Sequence, residues 1–513
     1  MEFSRIGKAI SWVVIFTLIA KFLGFFREIL LSFFFGATGV SDAYLISQNI
    51  PGTIFQFVGT GLMTSFIPIY FEVKNKYGIE AANKFTNRII TLVFIFSSIV
   101  ICIIWLFTPW VVKLFASGFS GQTFYFTMQF TRIGVLSLYF SSLIYVYNSY
   151  LQANHVFGPV AFAAIPYSVF IMLSIVLGAV VNIWILSIGS TLAVGGQLLF
   201  LLYPVYKLGF HLKLSFSWHD FYIRRFFYLF LPVVFGVSVN EINTLIDRTV
   251  ASQVAVGGIS ALTYANSLIM LIQGGIVQPV STVFYPQITS YITQKQISKA
   301  IAVVEKAINS MLTILIPISI GFMIYSRIIT NALFSRGAFD QNASIMTAEG
   351  LFFYAIGICF LGIREILSRF YYANSNTKIP MKNATLGVIV NIILNLLLSR
   401  FLGIAGLASA TTISAIITSF LLWKDCDKYL HSGRIQINVK DFAKSLFASI
   451  VSVAVAFGIS ELILSSDIIK LLVGLVISIP LYIIIGLFMS IEFIQEAVSF
   501  GISYVKKNSS NRN

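Results

Sequence analysis

Apolar residues run along this chain in long stretches, and polar residues gather in the short gaps between them. Crossing roughly 30 Å of hydrocarbon takes about 20 mostly apolar residues in a helix. Fourteen segments meet that requirement: 9–35, 43–71, 89–112, 124–151, 157–180, 183–206, 226–250, 260–290, 307–330, 346–372, 384–400, 404–423, 443–463 and 468–492. The first follows Arg5 and Lys8, as the core of a signal peptide would. It is too long for that role and no small-residue cleavage site follows, so it is expected to remain as a membrane anchor. The expected fold class is an all-α polytopic membrane protein of fourteen transmembrane helices.

Composition sharpens this reading. Of the 513 residues, 58% are hydrophobic and 10% charged, with a mean hydropathy of +0.89. Soluble domains carry about 25% charged residues. No soluble core can hide this much apolar surface, which excludes a cytosolic enzyme or a soluble nucleic-acid binder. Cys102 and Cys359 lie in apolar runs and Cys426 in a charged loop, which is neither a disulfide framework nor a metal-ligand spacing.

The net charge of +15 is explained by position. If the N-terminus is cytoplasmic, 23 of the 34 Lys and Arg fall on the cytoplasmic side, among them Lys74, Lys76, Lys84, Arg88, Lys207, Arg224, Arg225, Lys306 and Lys444. Five (Lys113, Arg327, Arg336, Arg400 and Lys470) fall outside. That skew is the positive-inside rule, and an even number of spans puts both termini in the cytoplasm. The basic loops therefore set topology, and no nucleic-acid partner is expected. Six basic residues remain within spans: Lys21, Arg27, Arg132, Arg248, Arg364 and Arg369.

Several segments recur at a nearly constant offset along the chain. Leu114-Phe115-Ala116-Ser117-Gly118-Phe119 returns as Leu333-Phe334-Ser335-Arg336-Gly337-Ala338-Phe339. Tyr150-Leu151-Gln152-Ala153-Asn154 with Pro159 returns as Tyr371-Tyr372-Ala373-Asn374 with Pro380, and Phe66-Ile67-Pro68 as Phe284-Tyr285-Pro286. Six spans separate the copies, so the halves share one orientation, as in transporters built from parallel repeats around a central cavity. The expected domains are an N-lobe over 1–206, a C-lobe over 207–424, and an appendage over 425–513 that holds the last two spans and a cytoplasmic tail.

An ionisable residue at the bilayer centre costs about 2.5–3.5 kcal/mol on insertion scales, so it should face a cavity or a partner. On the first span Lys21, Gly24 and Glu28 share a face, with Arg27 beside them. The alternative is a self-neutralising Lys21–Glu28 or Arg27–Glu28 pair. The seventh span carries Asn240, Asn243, Thr244 and Asp247 on one stripe and Glu241 and Arg248 on the next. On the tenth, Glu365 precedes Arg369 by one turn and leaves Arg364 without an obvious helical partner. The matching positions of the fourth span hold Ile144, Tyr145 and Ser149, so the charges do not repeat. Asp247, Asn391, Asn395 and Thr411 form a candidate sodium site, since carboxylate, amide and hydroxyl oxygens suit a hard cation. Interhelical hydrogen bonding is the competing reading for the same residues. No GxxxxGK[ST] phosphate loop, HExxH spacing or Ser/His/Asp set is present, so neither ATP hydrolysis nor any enzyme activity is expected, and no cofactor beyond Na+ as a coupling ion.

The segment Phe22-Leu23-Gly24-Phe25-Phe26-Arg27-Glu28, followed by Phe35-Gly36-Ala37 and Ser41-Asp42-Ala43-Tyr44, resembles the opening of the MurJ/MviN family. Phe66-Ile67-Pro68, Leu333 to Phe339, and Arg369-Phe370-Tyr371-Tyr372-Ala373 with Pro380 extend the resemblance. The family comprises lipid II flippases of the multidrug/oligosaccharidyl-lipid/polysaccharide exporter superfamily. The resemblance implies two six-helix lobes, a polyprenyl-tail groove on the last two spans, and a cationic cavity for a pyrophosphate-sugar head. Alternating access would then carry the substrate to the outer leaflet, driven by membrane potential or an ion gradient. Residues implied at the head group are Lys21, Arg27, Glu28, Asp42, Arg248, Arg364 and Arg369. Lys21 replaces a usual Arg, with loss of the bidentate fork that suits phosphate, and Glu28 replaces a usual Asp. A family Arg is Phe55 here, and a Tyr-Ala-Asp-Arg motif reads Tyr264-Ala265-Asn266-Ser267. The implied partners are an undecaprenyl-pyrophosphate-linked substrate, membrane lipids and the cell-wall synthesis machinery, for a monomer in the bacterial plasma (inner) membrane. Three readings stay open beside lipid II: another undecaprenyl-pyrophosphate-linked glycan (capsule, O-antigen or teichoic type), a drug/cation antiporter of the superfamily, and a non-transporting envelope assembly scaffold.

Overall fold

The computed structural model describes residues 2–217, 220–429, 435–462 and 466–510, with side chains except at 2–11, 235–240, 427–429, 501–502 and 504–510. Arg5, Lys8, Asn240, Lys428, Arg434, Lys506, Lys507 and Arg512 therefore lie outside the described side chains. Every regular element among the described residues is helical. In order these are α1 (Glu2–Phe35), α2 (Gly39–Leu106), α3 (Thr108–Phe115), α4 (Gly121–Gly134), α5 (Ser137–Ala153), α6 (Gly158–Phe162), α7 (Ala164–Val180), α8 (Ile185–Lys207) and α9 (Phe221–Val254). There follow α10 (Gly258–Ile272), a π-helical turn (Gln273–Val277), α11 (Gln278–Thr293), α12 (Ile297–Ile324), α13 (Ser326–Phe334), α14 (Gln341–Ala373), α15 (Lys378–Tyr429), α16 (Val439–Leu462), α17 (Asp467–Phe488) and α18 (Glu492–Ser510).

Nine helical stretches among the described residues are long and apolar enough to cross a bilayer, or ten if α4 and α5, bent by 46°, form one span. At about 1.5 Å per residue, α2 would run roughly 100 Å if straight, far more than one crossing. It breaks at Gly78 (φ 81), and α15 breaks at Gly403 (φ 57), so each supplies two crossings. Helices α1 and α9, 34 residues each, also hold long apolar runs, interrupted by single charges such as Lys21 and Glu241. With them the architecture is consistent with fourteen spans. Two details differ from the sequence reading. The expected loop after the second span is helical up to and beyond Gly78, because Ala82, Phe85 and Ile89 bury one face of that turn. The expected tail begins as a helix, α18, after Ser490 turns the chain (φ 56) and Ile491 and Ile494 pack under α17.

The chain divides into two compact units, residues 1–260 with 337–339, and residues 261–336 with 340–513. The core of the first is built on α2, α5, α8 and α9. Phe66 stacks on Tyr70 and Phe85 at centroid distances of 5.5 and 5.6 Å, with Tyr150 edge-on to Tyr70. In the second unit α14 packs on α12 and α15, and α16 and α17 pack on α12 and α13. Lipid tails are as apolar as Leu, so burial from lipid drives little association; close packing and interhelical hydrogen bonds hold such helices together. Hydroxyls supply many of those bonds. Ser187 Oγ donates to the Phe130 carbonyl (2.8 Å), Ser319 Oγ to Ala355 (2.7 Å), Thr412 Oγ1 to Phe353 (2.6 Å) and Tyr482 Oη to Thr313 (2.7 Å).

The repeated motifs are helix-end devices. Asn154 and Asn374 each donate Nδ2 back to the carbonyl four residues earlier, Tyr150 and Phe370, at 2.9 Å. The next residue takes a positive φ in both copies, His155 at 60° and Ser375 at 56°. Val156 N to Leu151 O and Asn376 N to Tyr371 O, both 2.9 Å, then close the same turn. The helices keep the offset that carries Leu114 to Leu333: it takes both bounds of α1, Glu2 and Phe35, to those of α9, Phe221 and Val254. It also takes the start of α2, Gly39, to the start of α10, Gly258. The copies of the Leu-Phe motif are exchanged between these helices. Gly118 N donates to Ser252 Oγ (3.0 Å) and Thr249 Oγ1 to the Leu114 carbonyl (2.9 Å) at the end of α9. Ala338 N donates to the Phe33 carbonyl (2.8 Å) at the end of α1.

Gly257 (φ 81) enters this junction against the backbone of Ala37, with no room for a Cβ, whereas Gly78 at the same φ faces open space. Gly257→Ala should therefore add a steric cost to a backbone strain of about 1–3 kcal/mol, and lower the melting temperature in detergent. Gly78→Ala bears only the backbone penalty of its own conformation (φ 81, ψ 177), about 1–3 kcal/mol, with no contact to add to it, and should melt higher than Gly257→Ala. Equal melting of the two variants would contradict the close approach at Ala37.

Candidate functional site

The first unit concentrates charge on two helices. On α1, Arg27 Nη2 lies 2.8 Å and Nε 3.3 Å from Glu28 Oε1. The pair is adjacent in sequence, so it forms without closing the distance between helices. Glu28 is buried, and its Oε2 has no hydrogen-bond partner among the described residues. Tyr44 and Tyr167 flank Arg27 within electrostatic reach, and Gln48 Nε2 donates to Ser190 Oγ (2.7 Å) beside them. Lys21, on the same face two turns before Glu28, is half-buried, and open space lies in front of Gly24.

Helix α9 adds the second set. The Arg248 guanidinium feels the carboxylates of Asp247, Glu241 and Glu28, in that order of strength. Asn243 Nδ2 donates to Asp247 Oδ2 at 3.3 Å, one turn away. Glu28 and Asp247 are separated by the same offset as the ends of α1 and α9, so the two helices carry a carboxylate at one position of the repeat. The structure thus brings Arg27, Glu28 and Arg248 into one electrostatic group. A comparison of α1 with α9 at that offset would have found the Glu28–Asp247 correspondence in the sequence.

Asp42 lies elsewhere in the unit and does different work. It is fully buried, and its carboxylate accepts from Gly257 N (2.8 Å), Ser260 N (2.8 Å) and Ser260 Oγ (2.6 Å). These are the orphan donors at the start of α10, and a carboxylate there also complements the helix dipole. Ser41 joins through its hydroxyl, 3.0 Å from Ser260 Oγ. In this conformation Asp42 is a positioning residue for the α10 terminus. The motifs Phe35-Gly36-Ala37, Ser41-Asp42 and Gly337-Ala338, separate in sequence, meet around it, with Gly36 placed against Ala338.

Two further positions have plain structural explanations. Phe55 is buried, 3% exposed, and stacks on Tyr145 at 5.9 Å with an interplanar angle of 13°, so an aromatic pair fills the place of the family arginine. Arg132 lies over the Trp105 ring at 5.5 Å and donates from Nε to Thr108 Oγ1 at 3.4 Å, which satisfies an intramembrane cation locally.

In the second unit, Arg369 Nε lies 3.0 Å from Glu365 Oε1, its Cζ lies 5.4 Å from the Tyr285 ring centre, and Ser281 Oγ approaches Glu365 at 3.5 Å. Arg364, one residue before Glu365, is exposed and makes no ion pair within 4.0 Å among the described residues. Ser267, in the place of the second family arginine, donates to the Tyr264 carbonyl of its own helix at 2.6 Å. Of the sodium-site candidates, Asn395 Nδ2 donates to Asn391 Oδ1 (2.8 Å) and Asn391 Nδ2 to Thr411 Oγ1 (3.4 Å), while Asp247 belongs to the first unit. Among the described residues no cluster of three or more His, Cys, Asp or Glu is arranged to hold a metal ion. Several loop cations are paired: Lys76 and Arg225 share Glu72 (3.0 and 2.7 Å), Arg88 pairs with Asp220, and Lys306 with Glu496 (2.8 Å).

An all-helical, multi-pass membrane protein with charged groups held inside its spans has the architecture of a transporter rather than an enzyme. The fold is shared with an inward-facing multidrug resistance MATE family transporter of the MOP superfamily, 13% identical, TM-score 0.65, covering 81% of this chain and 96% of that one. A solved lipid II flippase MurJ in an inward closed conformation is more similar, with 26% identity and a TM-score of 0.81 over 93% of this chain and 98% of that one. A probable lipid II flippase MurJ of Rickettsia prowazekii is 28% identical over 448 residues, 86% of this chain and 88% of the relative. The lipid II flippase MurJ family model matches residues 31–481, and the chain belongs to that family. It is accordingly a multi-pass protein of the bacterial inner membrane.

Asp42→Ala strips three donors of their acceptor, at about 1–3 kcal/mol for each buried group left unpaired. It should lower the melting temperature of the detergent-solubilised protein by several degrees, with Asp42→Asn, which keeps an acceptor, falling between. An Asp42→Ala protein that melts with the parent would contradict the capping role.

Proposed function

We propose that this protein moves lipid II, the lipid-linked peptidoglycan precursor, from the cytoplasmic to the outer leaflet of the inner membrane. The observation that carries the proposal is the family match over residues 31–481, joined by a solved flippase of like fold. The intramembrane charges agree with an anionic head group. Arg27 and Arg248 lie in one electrostatic group, and Arg364 is exposed on α14. A pyrophosphate entering near Arg27 competes with Glu28 for the guanidinium, so Glu28 limits how tightly the head group is held when it must be released. Lys21 adds a point charge, and Arg369, held by Glu365, orients the second unit's contribution. Asp42 acts on the conformation through α10 rather than on the substrate.

The rest of the reading follows from the same chemistry. Both termini are assigned to the cytoplasm by the excess of Lys and Arg in the loops on that side. The polyprenyl tail is assigned to α16 and α17, which lie outside the repeat and are rich in exposed Ile, Leu and Val. Movement is by alternating access of a monomer, driven by membrane potential or an ion gradient. Sodium is the candidate ion, with Asn391, Asn395 and Thr411 as oxygen ligands in the second unit. A second reading rests on Phe55 and Ser267, whose side chains are engaged within the protein at positions where the family resemblance implies arginine. With fewer cations, the head group is another undecaprenyl-pyrophosphate-linked glycan.

Replacement of the essential flippase in depleted cells tests both. The native chain should restore growth, and Arg27→Ala, Arg248→Ala and Arg364→Ala should each fail at unchanged membrane levels. Growth of all three variants at the native rate would remove these residues from the substrate path. Failure of the native chain, with rescue of a strain lacking a capsule or O-antigen flippase, would favour the second reading.

A further inference from the structure

A groove of about 1270 Å³ opens on the first unit between the beginning of α1, the α6 segment and the end of α8, away from the charged faces of α1 and α9. It exceeds the roughly 300–1,000 Å³ of ordinary small-molecule sites. An unbroken aromatic wall lines it. Trp12 stacks on Phe16 at 5.5 Å, Phe16 meets Phe162 edge-on at 5.5 Å, and Phe162 meets Phe200 at 6.1 Å. Among the described lining residues only Lys207 is charged, and Lys207 is the last residue of α8. That residue is exposed and makes no ion pair among the described residues. A Cβ added at Gly158 would meet no protein atom within 4 Å, so the groove is open space rather than a packed seam.

We propose that this groove holds one anionic glycerophospholipid, with an acyl chain along the aromatic wall and the phosphate at Lys207. The α6–α7 and α8 segments are membrane spans, so the medium facing the groove is lipid. Lys207 ends its span, at the depth where phosphates lie, and basic residues at that depth recruit anionic head groups. The exposed Lys207 ammonium answers the negative charge of a phosphodiester at that depth. The bound lipid would fill the space between α1 and α8 and hold the start of α1 against the unit.

Native mass spectrometry of the full-length protein in detergent tests this, using phosphatidylglycerol and phosphatidylcholine with identical palmitoyl and oleoyl chains. The native protein should retain one phosphatidylglycerol about fivefold more tightly than phosphatidylcholine, the gain expected of one interfacial lysine. Lys207→Gln, an exposed change that leaves the fold alone, should erase the preference. Gly158→Leu should weaken both lipids by filling the groove. Phosphatidylglycerol carrying a photoreactive acyl chain should label residues 12–16, 158–162 or 199–204 of the unaltered protein. Equal retention of the two lipids would overturn the proposal, as would a preference that survives Lys207→Gln. Label elsewhere, tighter retention of undecaprenyl phosphate, or a protein dimer in place of the lipid adduct would also overturn it.

Discussion

A charge inside hydrocarbon has to be answered by a partner, and this requirement shapes the protein more than any packing contact does. Each intramembrane charge whose partner is described meets it in its own way. Arg132 rests on Trp105, Arg369 on Glu365 and Tyr285, and Asp42 on three donors at the start of α10. Arg27 and Glu28 answer each other imperfectly, since one carboxylate oxygen of Glu28 is buried without a hydrogen-bond partner. The charges that are fully satisfied hold the fold. Glu28, with one oxygen unpaired, and Arg364, exposed on α14, retain capacity, and in the proposed reading they join Arg27 and Arg248 at the head group.

The duplicated halves have diverged along the same line. The helix-end turns at Asn154 and Asn374 keep the same bonds, because a turn that closes buried backbone groups tolerates little change. The exchanged motifs at the ends of α1 and α9 persist for the same reason. Between the ends, the faces are free to differ. Arg364 and Arg369 have Ile144 and Ser149 as counterparts, while Glu28 and Asp247 keep a carboxylate in both copies.

Much of this was legible in the chain. Periodic apolar runs and the recurrence of motifs at a constant offset marked the spans and the duplicated halves, since both follow from the thickness of a bilayer and from local turn chemistry. The residues around Arg27 and Arg248 stood out because charge is rare in such segments. The role of Asp42 was not legible. Its donors, Gly257 and Ser260, lie 215 and 218 residues further along the chain, and neither is unusual in sequence. Phe55 was equally opaque, for only packing shows that its ring is matched by Tyr145. The helical turns on either side of the break at Gly78 were not legible, because polar residues such as Glu80 and Lys84 alternate there with the buried Ala82 and Phe85.

Family membership and the charged faces of α1 and α9 converge on transport of a lipid-linked anion, and transport itself is the central claim. The most direct measurement is movement of fluorescent lipid II across vesicles containing the purified protein, read as the fraction quenched by an impermeant reductant. The account predicts that the protein, under an imposed membrane potential or sodium gradient, exposes lipid II that protein-free vesicles keep protected. Exposure no faster than in protein-free vesicles under either gradient would contradict it.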